Sequence, residues 1–198
     1  MILDVGNKFK QQKENALKGL KEAREKGDVD ADMLPLIDYV NSLPDYYTTS
    51  TCTGRITLFH DPGSKKDSGW VGKWHRTVEF GEVMKALKTL PQHGTIWFLQ
   101  EPTIIHINCR TLDDASRLVD LSRNAGYKKA SILSFKDERI IVEINGTERI
   151  NAPLAIDGQQ IADNEYIRQL IEIANKKFTK GMTRLEKYLV ALKELEKE

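Results

Sequence analysis

The stretch TIWFLQEPTIIHINCRTLDDASRLVDLSRNAG runs from Thr95 to Gly126, and its patterning sets the fold class. TIWFLQ and TIIHINCR are short apolar runs of strand length, joined at Glu101-Pro102, where proline suits the first central position of a turn. Asp113–Ala125 then carries helical spacing and stops at Gly126, a usual helix C-terminus. Upstream, strands are expected at 46–50, 54–60 and 70–76, with DPGSKKDSG as the loop before the last. Glu79 to Leu90 reads as a helix, because Val83, Leu87 and Leu90 recur at i, i+4 and i+7. Downstream, ASILSF, RIIVEI and RINAPLAI read as three more strands, with Asn145-Gly146 the strongest hairpin signal. The order βββαβ followed by βαβββ predicts an α+β fold with a mixed or antiparallel sheet core and two pseudo-repeated α/β units.

Helical extensions flank that core. Residues 4–24 place Phe9, Ala16, Leu17, Leu20 and Ala23 on one face, and Met33–Leu43 reads as a short helix with Pro35 in its first turn. A long helix begins near Asp163, a suitable N-cap. A single domain over 1–198 is expected, with N-terminal helices over 1–44, the α/β core over 45–158 and the C-terminal helix over 163–198. A chain of 198 residues buries roughly 70% of its extended surface and folds without staples.

The first fifteen residues, MILDVGNKFKQQKEN, lack an apolar signal core, and no run approaches a membrane span. A cytoplasmic protein with reduced thiols and no membrane association is expected. The net charge of +1 averages over a segregated chain. Arg55–Arg76 holds five Lys/Arg against two Asp/Glu, and Lys176–Lys187 five against one. Such local patches set an electrostatic footprint for nucleic acid where the total does not.

Side chains on a strand alternate between faces. In TIIHINCR, His106, Asn108 and Arg110 share one face, either a constellation for chemistry or the wet side of an antiparallel sheet. Ile105, Ile107 and Cys109 share the other. Cys52, Cys109, His75 and His106 raise the idea of zinc, but Cys109 and His106 leave their strand on opposite faces, so no metal is expected. Parity puts Trp70 and Trp74 together, to stack on a base or to fill a core. On the last helix Lys176, Lys180, Arg184 and Lys187 fall within about 80° of one another. They form either a solvated face or a ridge that tracks phosphates.

TTSTCTGRI, from Thr48 to Ile56, offers hydroxyls, a thiol, a turn glycine and a guanidinium in one turn. It resembles the Ser-Ser-Cys-Ser-Gly-Arg signature of the wybutosine-synthesizing protein 3 family. Gly69-Trp70 with His75, EPTIIHINCR, Gly126-Tyr127, Pro153-Leu154 and EYIRQLIEIANKK follow in the family's order, so the resemblance covers Asp45 to Lys187. Thr51 and Thr53 stand in place of serines, and KKDSGW replaces a more glycine-rich loop. The resemblance implies a methyltransferase that uses S-adenosylmethionine on a ring nitrogen of a tricyclic guanosine derivative, 3′ of the anticodon in tRNA(Phe). It places the cofactor at Ser50, Cys52, Thr53, Gly54 and Arg55, with Arg55 gripping an anion. His106 and His75 become candidate bases. Trp70, Trp74, Glu101, Asn108, Arg110 and the basic ridge become candidate contacts to the tRNA anticodon arm. A non-catalytic RNA-binding module is the alternative.

Overall fold

The computed structural model describes residues 5–136 and 138–196. Along the chain these are α1 (Val5–Lys26), α2 (Leu34–Ser42), β1 (Tyr46–Cys52), β2 (Arg55–Asp61), β3 (Gly69–Trp74), α3 (Phe80–Ala86), β4 (Thr95–Glu101) and β5 (Ile104–Cys109). There follow α4 (Leu112–Asn124), β6 (Ser131–Lys136), β7 (Arg139–Asn145), β8 (Ile150–Ile156), β9 (Gln159–Gln160) and α5 (Asn164–Leu192). The expected order βββαβ–βαβββ is present from β1 to β8, and the class is α+β with two antiparallel sheets.

The two sheets do not follow the two halves of that order. One is β1-β5-β7-β6 and the other β3-β2-β4-β8-β9. Three pairs of strands adjacent in sequence, β1/β2, β4/β5 and β7/β8, are therefore each split between sheets. The expected hairpin at Asn145-Gly146 does not form; instead the Gly146 N–H donates to the Thr103 carbonyl at 2.9 Å. Asn-Gly favours a tight reversal, but the β7 edge that β8 would need is occupied by β6 and β5. Two compact units result. The first holds the chain up to Thr53, Thr103–Thr147 and Thr183 onward; the second holds Gly54–Pro102 and Glu148–Met182.

In the first unit, Ile105, Ile107, Cys109, Ile140, Val142 and Ile144 are all buried and share one sheet face by register. Helix α4 packs there with Ala115, Leu118 and Val119. Its Ser122 meets the hydroxyl of Tyr188 on α5 at 2.7 Å. The opposite face carries Tyr47 beside Asn108, and the Tyr47 ring packs on Phe9 of α1 at 5.3 Å. That face is therefore not simply wet: Asn108 is fully buried.

In the second unit, alternation along β4 buries Ile96, Phe98 and Gln100. Ile56, Leu58, Ala152 and Leu154 join Ile96 and Phe98 in a core closed by Val83 and Leu87 of α3 and by Ile167, Leu170, Ile171 and Ala174 of α5. Each such fully buried Leu or Ile contributes about 1.5–3 kcal/mol of transfer free energy. Helix α3 is shorter than expected, with Leu87 its C-cap, although Val83 and Leu87 are buried as the periodicity requires. Pro91 disfavours helical backbone at Leu90.

Parity fails on β3. A bulge between Leu58 and Phe59 pairs Leu58 with Gly72 but Phe59 with Trp70, leaving Val71 extra. Trp74 therefore shares the face of Ile56 and packs against the core, whereas Trp70 lies on the opposite face beside Phe59. The expectation that the two tryptophans share a face is corrected.

Candidate active site

In the first unit, a cavity of about 570 Å³ lies between α1 and β1, a size that suits a cofactor-sized ligand. Tyr47, Thr48, Thr49, Ser50 and Thr51 line one wall, and Gln12, Asn15 and Ala16 of α1 another, with Asp28 and Arg139 among the remaining groups. Gly19 of α1 also lines it, and a Cβ at that position would meet nothing within 4 Å.

Two groups distant in sequence hold the hydroxyl-rich strand. Asn41 of α2 accepts from the Thr48 N–H at 2.8 Å and donates to its hydroxyl at 3.1 Å. Asp30 accepts from both the N–H and the hydroxyl of Thr53, at 2.9 and 3.0 Å. Thr53 is buried, and its carbonyl in turn accepts from the Thr103 hydroxyl at 2.8 Å. A bulge at Thr49 then brings Ser50 opposite His106, and the Thr49 hydroxyl donates to the His106 carbonyl at 3.4 Å.

His106 Nε2 lies 3.0 Å from the Glu143 carboxylate, its partner across β5 and β7. An ionised carboxylate only accepts, so the Nε2 proton is held toward Glu143 and, in the neutral ring, Nδ1 carries the lone pair. One step along β5, Asn108 is fully buried, and both ends of its amide lack a hydrogen-bond partner. Arg110 pairs with Asp45 at 2.9 Å. Cys109 is buried against α4, and burial pushes its thiol far above the ordinary range; Cys52 is half-buried at the end of β1. Tyr46 opposite Cys109 and Cys52 opposite Ile104 mark the two ends of the β1–β5 pairing, so the two thiols do not meet.

In the second unit, Gly54 has φ +102°, a left-handed conformation that glycine adopts at no steric cost. Arg55 follows at the start of β2. Its Nε pairs with Glu101, and its guanidinium carbon sits 4.8 Å from the centre of the Trp70 ring. Arg55, Glu101 and Trp70 thus form one cluster, with the arginine's charge already matched by a carboxylate. His75 is half-buried just beyond β3. On α5, Lys176 and Lys180 are exposed in the second unit, and Lys187 is exposed in the first. Arg184, also in the first unit, lies over the Tyr127 ring at 5.6 Å.

Asp30, Asp45 and Glu143 are the partners that sequence reasoning does not single out. Asp30 falls in the charged break REKGDVDAD, where no spacing rule marks it. Glu143 is within reach of parity, since Arg139, Ile141 and Glu143 share a face of β7, but alternation alone does not say which strand lies alongside.

Comparison with known proteins fits this geometry. The family model described as "Methyltransferase TYW3" matches residues 11–194. A Pyrococcus furiosus protein named tRNA(Phe) 7-((3-amino-3-carboxypropyl)-4-demethylwyosine(37)-N(4))-methyltransferase 1 is 40% identical over 195 residues, covering 96% of this chain and 99% of its own. A Methanocaldococcus jannaschii protein named as such a methyltransferase is 34% identical, with 96% and 99% covered. The solved structure of the PH1069 protein of Pyrococcus horikoshii superposes with a TM-score of 0.92 at 35% identity, covering 98% of this chain and 99% of that one. A hypothetical protein of Aeropyrum pernix, at 24% identity and a TM-score of 0.74, shares the fold. With the match running through both units and through the Thr48–Arg55 segment, the chain belongs to the methyltransferase TYW3 family.

Proposed function

We propose that this protein methylates N4 of a 4-demethylwyosine-type tricyclic guanosine derivative in tRNA(Phe), the reaction for which its relatives are named, with S-adenosylmethionine as the methyl donor. The observation that carries this reading is the hydroxyl-lined cavity along Thr48–Thr51, in a chain of this family. The cavity fits such a donor: its hydroxyls and Arg139 suit a carboxylate, and Asp28 suits an ammonium or ribose hydroxyl.

When bound, the donor supplies an activated methyl group on a sulfonium. The protein's part is alignment and exclusion of water. Ser50, with Thr48, Thr49 and Thr51, is the proposed donor contact in the cavity lining, and Asp30 holds the buried Thr53 just beyond it; Cys52, Gly54 and Arg55 do not line the cavity. His106 is the proposed base, taking the proton from the acceptor nitrogen at Nδ1 while Glu143 orients the ring. His75 is the second candidate. Arg110 follows His106 on the same strand face as a proposed tRNA contact, whereas Asn108 between them is fully buried and does not reach the tRNA. Trp70 and Glu101 belong to the same reading as substrate contacts, and Lys176, Lys180, Arg184 and Lys187 as groups for the phosphates of the anticodon arm. Among the described residues no helix is long and apolar enough to cross a membrane, and a cytoplasmic location goes with the proposed substrate.

The test is direct. Purified protein, S-adenosylmethionine and tRNA(Phe) carrying the 4-demethylated precursor are combined, and the modified nucleoside is weighed by mass spectrometry. Gain of one methyl group on the tricyclic base is expected. No gain, with RNA still bound, would leave a non-catalytic RNA-binding protein.

A further inference from the structure

The sheet of the second unit has two unlike faces. Helices α3 and α5 close the face of Ile56, Leu58 and Phe98. On the other face, strand register lines up Trp70 on β3, Phe59 on β2, Trp97 on β4 and Pro153 on β8 in one row across four neighbouring strands. The Trp70 and Phe59 rings are 5.0 Å apart. Trp70 is 45% exposed, Pro153 is exposed, and Phe59 and Trp97 are half-buried. In the next row Thr57 is buried, while Lys73 opposite it is exposed.

Burial alone does not account for three aromatic rings and a proline kept on the face away from the unit's own core. The surroundings select the occupant. Lys73 is exposed on β3 opposite Thr57, and Lys65 and Lys66 are exposed in the loop before β3; Arg55, on Trp70, is already paired with Glu101. The segment Arg55–Arg76 carries five cations against two acids. An aromatic strip with a cationic rim complements bases on a polyanionic backbone. Sheet aromatics on adjacent strands stack successive unpaired bases, and lysines meet the phosphates. An uncharged apolar protein partner would leave that rim unmatched.

We propose that the Trp70–Phe59–Trp97–Pro153 strip is a stacking platform for unpaired RNA bases, which on the function proposed above are the loop nucleotides flanking the target base. Trp97 and Phe59 act there by binding and positioning, not in the chemical step. The platform reads single-strandedness rather than sequence, because every base offers a π face.

The probes are a hairpin RNA with an unpaired loop and a fully paired duplex of equal length, neither carrying the modified base. Affinity is measured by titration and stacking by quenching of tryptophan fluorescence. The hairpin is expected to quench, and the duplex to bind more weakly with little quenching. Trp97→Leu should weaken hairpin binding by about 5- to 100-fold, the range for removal of one stacked base, with Trp97→Phe restoring most of it and both variants melting as cooperatively as the parent. If Trp97→Leu does not fold, Trp70→Leu at the exposed end of the strip takes its place. Unchanged hairpin affinity in the folded Leu variant, or equal weakening for hairpin and duplex, overturns the platform. Because these probes involve no methyl transfer, failure of the reaction on precursor tRNA overturns the proposed function alone, and intact transfer with unaltered hairpin binding by the Leu variant overturns the platform alone.

Discussion

Asp30 grips Thr53 twice, through the backbone N–H at 2.9 Å and the hydroxyl at 3.0 Å. Removing the carboxylate strands two buried donors, each worth about 1–3 kcal/mol when left unsatisfied. Asp30→Ala should therefore lose about 2–4 kcal/mol of stability together with most affinity for the methyl donor. Asp30→Asn, which keeps one acceptor, should lose less of both. Thermal melts and calorimetric titration with S-adenosylmethionine check this; a stable Asp30→Ala protein with full donor affinity would remove Asp30 from the site.

His106→Ala should slow single-turnover methyl transfer by on the order of 100-fold, a usual value for a general base, with tRNA affinity little changed. Glu143→Gln keeps a hydrogen-bonding group 3.0 Å from Nε2 but removes the charge that supports the proton there. It should slow single-turnover transfer less than His106→Ala does. A rate equal to the parent's in Glu143→Gln would leave the pair purely structural.

The cysteines should part company. Cys109 has no exposed surface, so Cys109→Ser places a hydroxyl in the core and should cost about 1–3 kcal/mol. Cys52→Ser, in a polar and half-buried setting, should melt close to the parent. Urea or thermal unfolding of both variants decides it, and a larger destabilisation at Cys52 would count against the packing account.

Arg55→Lys is expected to be severe for activity and mild for the fold. Lysine can still meet Glu101 but lacks the planar group that lies 4.8 Å above Trp70. A fall in kcat/KM of roughly 10-fold or more corresponds to about 1.4 kcal/mol of transition-state stabilisation removed. Turnover near that of the parent would reduce Arg55 to a general positive charge.

The four cations of α5 should divide in two. Lys176→Ala with Lys180→Ala should flatten the salt dependence of tRNA binding by roughly one unit of slope, or slightly less, for each phosphate no longer neutralised, leaving stability unchanged. Arg184→Ala should in addition lower the melting temperature, because its guanidinium rests on Tyr127, an interaction worth about 0.5–2 kcal/mol. An unaltered slope in the double lysine variant would make that face a solvated one.

Element order is legible in the sequence because period and breakers are local. The Val83–Leu87 spacing, the stop at Gly126 and the start at Asp163, whose carboxylate accepts from the Tyr166 N–H at 2.7 Å, all depend on residues within a few positions. Strand partners are not legible, since alternation names a face and leaves the neighbour open; Asn145-Gly146 promises a reversal that the pairing of β7 with β5 and β6 overrides. One extra residue at Val71 is enough to send Trp74 into the core and Trp70 out of it. The Thr48–Arg55 turn announces hydrogen-bonding chemistry by composition. Its holders Asp30 and Asn41, and the Glu143 partner of His106, lie too far along the chain for any spacing rule to reach.

The splitting of β1/β2, β4/β5 and β7/β8 between sheets also constrains how the chain reaches its native state. Neither unit is a contiguous segment, so a ribosome cannot deliver one finished before starting the other. Strand β1 stays unpaired until β5 has emerged, and the loop between Cys52 and Ile104 must close before their ladder gains a single bond. Such non-local pairing slows folding and leaves strand edges exposed for longer. Folding of this protein should accordingly be slower than its size alone dictates, and truncation anywhere between β5 and β7 should leave both sheets incomplete.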